Sequence, residues 1–306
     1  MATDMRERLG ADRFRWESSV LLFGKVALAL FVGFAMLMWL FPILYGFWAS
    51  VHENVVASAQ FVGLGNYADV IAHDLFWKAL NNTVVFAVVT TLTSVGLGLL
   101  FALAVNQGIR GGSLARTLIL FPYLIPTVVI AFLWQFMLNQ NTGIVNELLV
   151  GLGVLDEGIR FFGTTEWAMP AVIAMSTWVY AAFAFFILLA QLQSIDSALY
   201  ERATVEGANA WEKFRDITYP HIRTTLLLVV FLRGIWLFNH FDLIFIATRG
   251  GPINETLTIP LLIYKLIFEE FSYGQGAALG SLLFFLLAIG AVGYFKLLNK
   301  GEVGAG

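Results

Sequence analysis

No cysteine occurs in the 306 residues, which excludes a disulfide framework, thiolate chemistry and a cysteine-ligated metal. Histidine is scarce: His52, His73, His221 and His240 are scattered and form no HExxH-type pair. Charge is scarce too. Asp, Glu, Lys and Arg make up 13% of the chain, where a soluble domain carries about 25%. A net charge of −3 is too weak to point to a nucleic acid. No GxxxxGK[ST] sequence is present to cradle a phosphate. If ATP drives this protein, another polypeptide binds it.

What is abundant is apolar. Hydrophobic residues form 59% of the chain and the mean hydropathy is +0.78. Six stretches, near 20–48, 83–105, 116–138, 168–190, 224–247 and 277–298, are each long enough to cross a hydrocarbon core of about 30 Å. Each must be helical, because an isolated strand leaves its backbone groups unpaired in lipid. The expected fold is an all-α polytopic membrane protein with six transmembrane helices. The charged N-terminus lacks a signal-peptide pattern and reads as a retained cytoplasmic arm, 1–19. The first span is 20–48, an extracytoplasmic segment covers 49–82, a five-helix core 83–298 and a cytoplasmic tail 299–306.

Lysine and arginine orient the chain. With the N-terminus inside, Arg6, Arg8, Arg13, Arg15, Lys25, Arg110, Arg116, Arg202, Lys213, Arg215, Arg223, Lys296 and Lys300 fall on the cytoplasmic side. Only Lys78, Arg160, Arg249 and Lys265 fall outside, and Arg233 lies within a span. Both termini and the polar loop 191–223 are therefore expected in the cytoplasm.

That loop holds the sequence DSALYERATVEGANAWEKFRDITYP, 196–220. Asp196 suits an N-cap, and Glu201 is expected near the same helix N-terminus. Gly207 supplies a positive φ where the first helix stops. Asn209 and Glu212 have capping-box spacing and open a second helix. Tyr219 precedes Pro220, so that helix is expected to finish there. Trp211 and Phe214 share a face as an exposed apolar knob.

Glu201, Ala203, Gly207, Ala208, Phe214, Ile217 and Pro220 resemble the cytoplasmic EAA loop of ABC-importer permeases. The chain departs from that pattern at Arg202, Glu206, Tyr219 and Thr224, where Ala, Asp, Leu and Pro are usual. The resemblance continues elsewhere. Phe61, Gly63, Asn66, Tyr67, Phe76, Ala79, Asn82 and Thr83 match the segment before the second span of sugar permeases. The NTGIVNELL stretch, the TRGGP segment and the GxAA pattern at Gly276 are also similar to the family. Gly96 with Gly98, and Gly276 with Gly280, read as close-packing glycines. Pro122 and Pro126 are expected to kink the third span or to mark its start.

The resemblance is to permease subunits of binding-protein-dependent type I ABC importers with a MetI-like fold. Within these it points to the carbohydrate group typified by the maltose and glycerol-3-phosphate importers. It implies a multi-pass protein of the bacterial inner membrane that is not itself an enzyme. The implied partners are a second homologous permease, two ATPase subunits, an extracytoplasmic solute-binding protein, membrane lipid and a sugar-type substrate. No cofactor is implied on this chain, since ATP and Mg would sit on the ATPases. Glu201, Ala203, Glu206, Gly207, Ala208, Trp211, Phe214, Arg215, Ile217 and Pro220 would form the coupling surface.

The same resemblance names a substrate pathway of Ser176, Val179, Tyr180, Phe183, Arg233, Trp236, Leu237, Asn239 and His240. Arg233 is the unusual member. It lies about 14 Å past the inner end of the fifth span, where an arginine costs about 2.5–3.5 kcal/mol on insertion scales. Two readings stand. Arg233 recognises an anionic group, as on a sulfosugar, sugar phosphate or uronic acid glycoside, or it pairs internally with Asp242 or a carboxylate of the second permease. A secondary transporter without an ATPase remains the alternative function, although the inverted repeats it requires are not evident.

Overall fold

A computed structural model describes residues 2–53, 55–108 and 111–303. Met1, Arg110 and the tail residues 304–306 lie outside the described residues. Helix α1, Ala2–Ser50, runs without a break from the N-terminal arm through the first apolar stretch. A two-residue antiparallel ribbon follows, β1 His52–Glu53 on β2 Gln60–Phe61. Short α2, Gly65–Ala72, then leads into long α3, Asp74–Asn106. The third apolar stretch is split into α4, Gly112–Leu124, and α5, Thr127–Met137. After α6, Ile144–Gly151, come α7, Ala168–Gln193, and the polar-loop helices α8, Ser197–Val205, and α9, Ala210–Lys213. Helix α10, Tyr219–Phe238, is followed by short α11, Asp242–Thr248, and α12, Ile259–Tyr264. Helix α13, Tyr273–Val303, completes the chain.

The pairing of α3 with α7 is the most extensive in the fold. Lipid provides no hydrophobic drive for it, so close approach and dispersion must do the work. Small residues allow that approach: Ala87 and Ala102 of α3, and Ala181 and Ala184 of α7, are all buried. At Gly98 a Cβ would stand 2.7 Å from the Ala181 carbonyl oxygen and 2.8 Å from the Phe185 nitrogen. Gly96 faces open space, as does Gly280, so neither is a packing glycine here. Gly276 does pack, against the Ile267 side chain.

Several asparagines tie the outer loops to this frame. Asn66 donates to the carbonyls of Ser50 and His52, both at 3.0 Å. Asn146 bridges the carbonyls of Asn139 and Ile159, each at 3.0 Å. Asn82 donates to the carbonyls of Asn254 and Leu257, each at 3.0 Å, while the Thr83 hydroxyl accepts from the Ile259 N–H. Lys78 donates to the Ile253 carbonyl and pairs with Glu255, both at 2.9 Å. The 250–257 loop is thus clamped onto the start of α3.

The helices differ from the sequence expectation in four places. The third stretch is not one straight helix, because α4 and α5 meet at 102°. Ile125, before Pro126, takes an extended ψ of 136° and cannot continue the helix. The fifth helix ends at Phe238 rather than near 247, with Asn239 as its cap and α11 starting anew. Helix α3 begins at Asp74, a full two turns before the expected span. Pro220 does not end the second loop helix either. A π-helical turn, Phe214–Thr218, joins α9 to α10, and the Tyr219 N–H reaches back five residues to the Phe214 carbonyl. That wider turn absorbs the missing N–H and the ring bulk that would break a regular helix. Among the described residues, five helices are long and apolar enough to cross a membrane, or six if α4 and α5 count as one span.

Candidate functional site

The polar loop is a braced elbow. Asp196 caps α8 by accepting from the Ala198 N–H at 2.9 Å. Gly207 takes φ +86°, where a side chain would be strained. Asn209 and Glu212 form the reciprocal capping box. Across the elbow, the Tyr200 hydroxyl meets the Thr218 hydroxyl at 2.9 Å, and Lys213 donates to the Thr204 hydroxyl at 2.9 Å. At its base, Gln191 of α7 donates to the His221 carbonyl and accepts from Thr225 of α10. Both arms of the loop are therefore fixed to the membrane helices.

Its surface carries the expected knob. Trp211 stacks on Phe214 with ring centroids 5.7 Å apart, and Trp211 is 65% exposed. Val205, at the end of α8, is 89% exposed, more than any other large apolar side chain described. Sequence reasoning missed it. The available signal was an apolar β-branched residue closing a polar helix just before the glycine. Exposure of apolar groups is ordinary on lipid-facing helices but not in a polar loop.

Glu201 lies mid-helix in α8, not in its first turn, so the helix N-terminus does not hold it. Glu201, Glu206 and Pro220 are exposed, while Ala203, Ala208 and Ile217 are half-buried. Glu206 pairs with Arg202 at 3.0 Å. Arg215 holds Asp216 through both Nε, at 2.7 Å, and Nη2, at 2.9 Å. That hydrogen bonding keeps the Asp216 carboxyl below its ordinary range and the Arg215 guanidinium above its own.

The second cluster lies between α7 and α10. Arg233 is buried, and its guanidinium carbon stands 4.5 Å from the Phe183 ring centroid, 4.8 Å from Tyr180 and 5.3 Å from Trp236. The Tyr180 hydroxyl contacts His240 Nε2 at 3.0 Å, and His240 stacks on Phe86 of α3. Tyr180, Phe183, Arg233, Trp236 and His240 thus form one group. The other pathway residues add no polar contact to it. Val179 and Leu237 belong to hydrophobic clusters, Asn239 is an exposed cap, and Ser176 is fully buried with its hydroxyl unpartnered. Tyr123 of α4 interacts electrostatically with Arg233, and Asp242 with Tyr180 and His240. Neither Tyr123 nor Phe86 was legible as a neighbour, because each comes from a helix distant in sequence.

Residues 94–301 match the family described as binding-protein-dependent transport system inner membrane component. The chain belongs to that family. This permease is a multi-pass inner-membrane protein with a MetI-like fold, and a transport subunit. It is 34% identical over 258 residues to the trehalose/maltose transport system permease protein of Thermococcus litoralis, covering 84% of this chain and 86% of that one. It is 32% identical over 240 residues to the lactose transport system permease protein of Rhizobium radiobacter, covering 76% and 80%. A bacterial ABC transporter chain involved in the import of the acidic polysaccharide alginate superposes with a TM-score of 0.81 at 23% identity, over 93% of this chain and 98% of that one. An alginate ABC transporter in complex with its pentasaccharide-bound periplasmic protein gives 0.78 at 25% identity, over 88% and 91%.

Proposed function

We propose that this permease is one half of the translocation pathway of an ATP-driven importer for a sugar or sugar derivative, including anionic ones such as a sulfosugar, a sugar phosphate or a uronic acid glycoside. A second homologous permease completes the pathway, and an extracytoplasmic solute-binding protein delivers the substrate. Two ATPase subunits, carrying ATP and Mg, work from the cytoplasm. Both termini and the 196–220 loop lie on that side. The sugar-permease names of the relatives support the substrate class.

The observation that carries the coupling role is the braced elbow with its exposed Val205 and Trp211, the latter stacked on half-buried Phe214. It presents an apolar surface on a polar loop that is braced by hydrogen bonds across the elbow and at its α7–α10 base. From Trp211 the helix continues through the π turn to Arg233, a span of about 30 Å at 1.5 Å per residue. A push at the elbow is transmitted along one rod to the aromatic cluster, and nucleotide-driven closure of the ATPases biases the two states of that rod. Glu201, Glu206 and Arg215 rim the contact. The test is reconstitution into proteoliposomes. The chain alone is expected neither to transport nor to hydrolyse ATP, and both activities are expected to appear only with the partner subunits. Transport by the chain alone would refute the coupling role in favour of a secondary transporter.

A further inference from the structure

Arg233 is only 3% exposed, yet its Nε and Nη2 are buried without a hydrogen-bond partner. Those two nitrogens carry the parallel N–H bonds along one edge of the guanidinium. The same protein shows what that edge is built to hold. In Arg215 it is Nε and Nη2 that grip the two carboxylate oxygens of Asp216, at 2.7 and 2.9 Å. Arg233 has no such carboxylate: among the described residues, no acidic side chain lies within ion-pair distance of it. The internal pairing with Asp242 is therefore not made. The faces of Tyr180, Phe183 and Trp236 attract the cation, but a ring face does not accept from the edge N–H bonds. Tyr123 supplies the guanidinium with a side-chain hydrogen bond, but Nε and Nη2 stay unpartnered, and a buried charge half-satisfied in this way is costly unless a ligand completes it.

We infer that the Nε/Nη2 edge of Arg233 binds an oxyanionic substituent of the transported sugar, a sulfonate, phosphate or carboxylate held through two parallel hydrogen bonds. This rests on the importer reading, and it assigns to one residue the choice between charged and neutral sugars. The three rings hold the guanidinium plane, so the fork is preorganised and little rotamer freedom is lost on binding. The Tyr180 ring that holds the guanidinium is itself fixed, its hydroxyl meeting His240 Nε2 at 3.0 Å.

The experiment uses the complete transporter, purified with its second permease and ATPases. Glucuronate, glucose 6-phosphate, 6-deoxy-6-sulfoglucose and neutral methyl glucoside are titrated while thermal unfolding is followed. At least one charged probe is expected to protect at a concentration at least about thirtyfold lower than the neutral glucoside, the scale of a buried charged hydrogen-bond pair. Arg233→Gln is expected to abolish that preference, read as the ratio of charged to neutral protection within the same preparation. Arg233→Lys, which keeps the charge without the fork, should retain a reduced preference, and it carries the test if the glutamine variant fails to assemble. Equal protection by charged and neutral probes, protection by none, or a preference unchanged in Arg233→Lys and Arg233→Gln overturns the inference. So does loss of the second permease from either variant with the preference intact, which would make a partner carboxylate the true occupant. Such results leave the importer reading standing if the ATPases remain bound. If no ATPase co-purifies with the wild-type chain, the importer reading itself fails and this inference falls with it.

Discussion

Two glycines two residues apart on α3 have opposite roles. At Gly98 an added Cβ meets backbone atoms of α7, which cannot rotate away, whereas at Gly96 it meets nothing. Gly98→Ala is expected to force the central helix pair apart and destabilise the protein by about 1–3 kcal/mol, the usual cost of overpacking. Gly96→Ala should be neutral or slightly stabilising, because alanine is the better helix former. Thermal unfolding of the two variants in the same detergent separates them, and equal melting temperatures would contradict the packing described. Asn82 makes a similar residue-scale case. Asn82→Ala leaves two outer-loop carbonyls without their donor, at about 1–3 kcal/mol for buried groups. Faster proteolytic nicking within 250–257 is the expected readout.

The polar loop sets the predictions for elements. Gly207→Ala places a side chain at φ +86° and should cost about 1–2 kcal/mol. Asn209→Ala, by removing the capping box, should cost about 0.5–2 kcal/mol. Both are expected to weaken coupling of ATP hydrolysis to transport while the membrane helices unfold at an unchanged temperature, since the elbow lies outside the α3–α7 core. Val205→Ser with Trp211→Ala is expected to release the ATPases on co-purification, and full retention of them would locate docking elsewhere. The Arg215–Asp216 pair gives the pH dependence. Its carboxyl is held below the ordinary value, so the contribution of the pair is complete above about pH 4, the unfolded aspartate value. It is lost only as the pH falls further, through the lowered value of the folded state. ATPase docking should therefore be flat between pH 6 and 8 as far as this pair is concerned, and the pair is fully exposed, so its effect on stability is small.

At the scale of the whole molecule, orientation is the quantity to measure. The chain has no cysteine, so a single cysteine introduced at Thr204 or at Thr142 can be labelled without background. A membrane-impermeant maleimide applied to right-side-out vesicles should modify position 142 and leave 204 untouched. Inverted vesicles should give the opposite result. Labelling of 204 from outside would place the elbow in the wrong compartment for any ATPase. Helix α1 joins the bundle chiefly through α13, with Phe47 packed against Phe284 and Phe285. Its membrane portion, 21–44, is otherwise exposed, so it is the helix best placed to pack on lipid or on the proposed partner permease.

The sequence by itself determined what is local. Apolar runs, capping residues and the glycine of the loop each act through a few neighbours, so the helical class and the 196–220 elbow were legible from residue order. The resemblance of the EAA loop and the outer segments to a permease family rested on the same local spelling. The outer-segment resemblance now has physical content, since Asn66, Asn82, Thr83 and Asn146 are the residues that pin the loops. What only the tertiary structure decided is what distant residues do to one another. A proline that ends a helix in one setting is absorbed by a π turn at Pro220, yet the one at Pro126 turns the chain through 102°. Of two equivalent glycines only Gly98 faces a helix. The environment of Arg233 comes from α4, α7 and α10, and neither its ring cage nor its unpaired edge follows from any spacing in the chain, because burial and partner geometry are properties of the packed bundle.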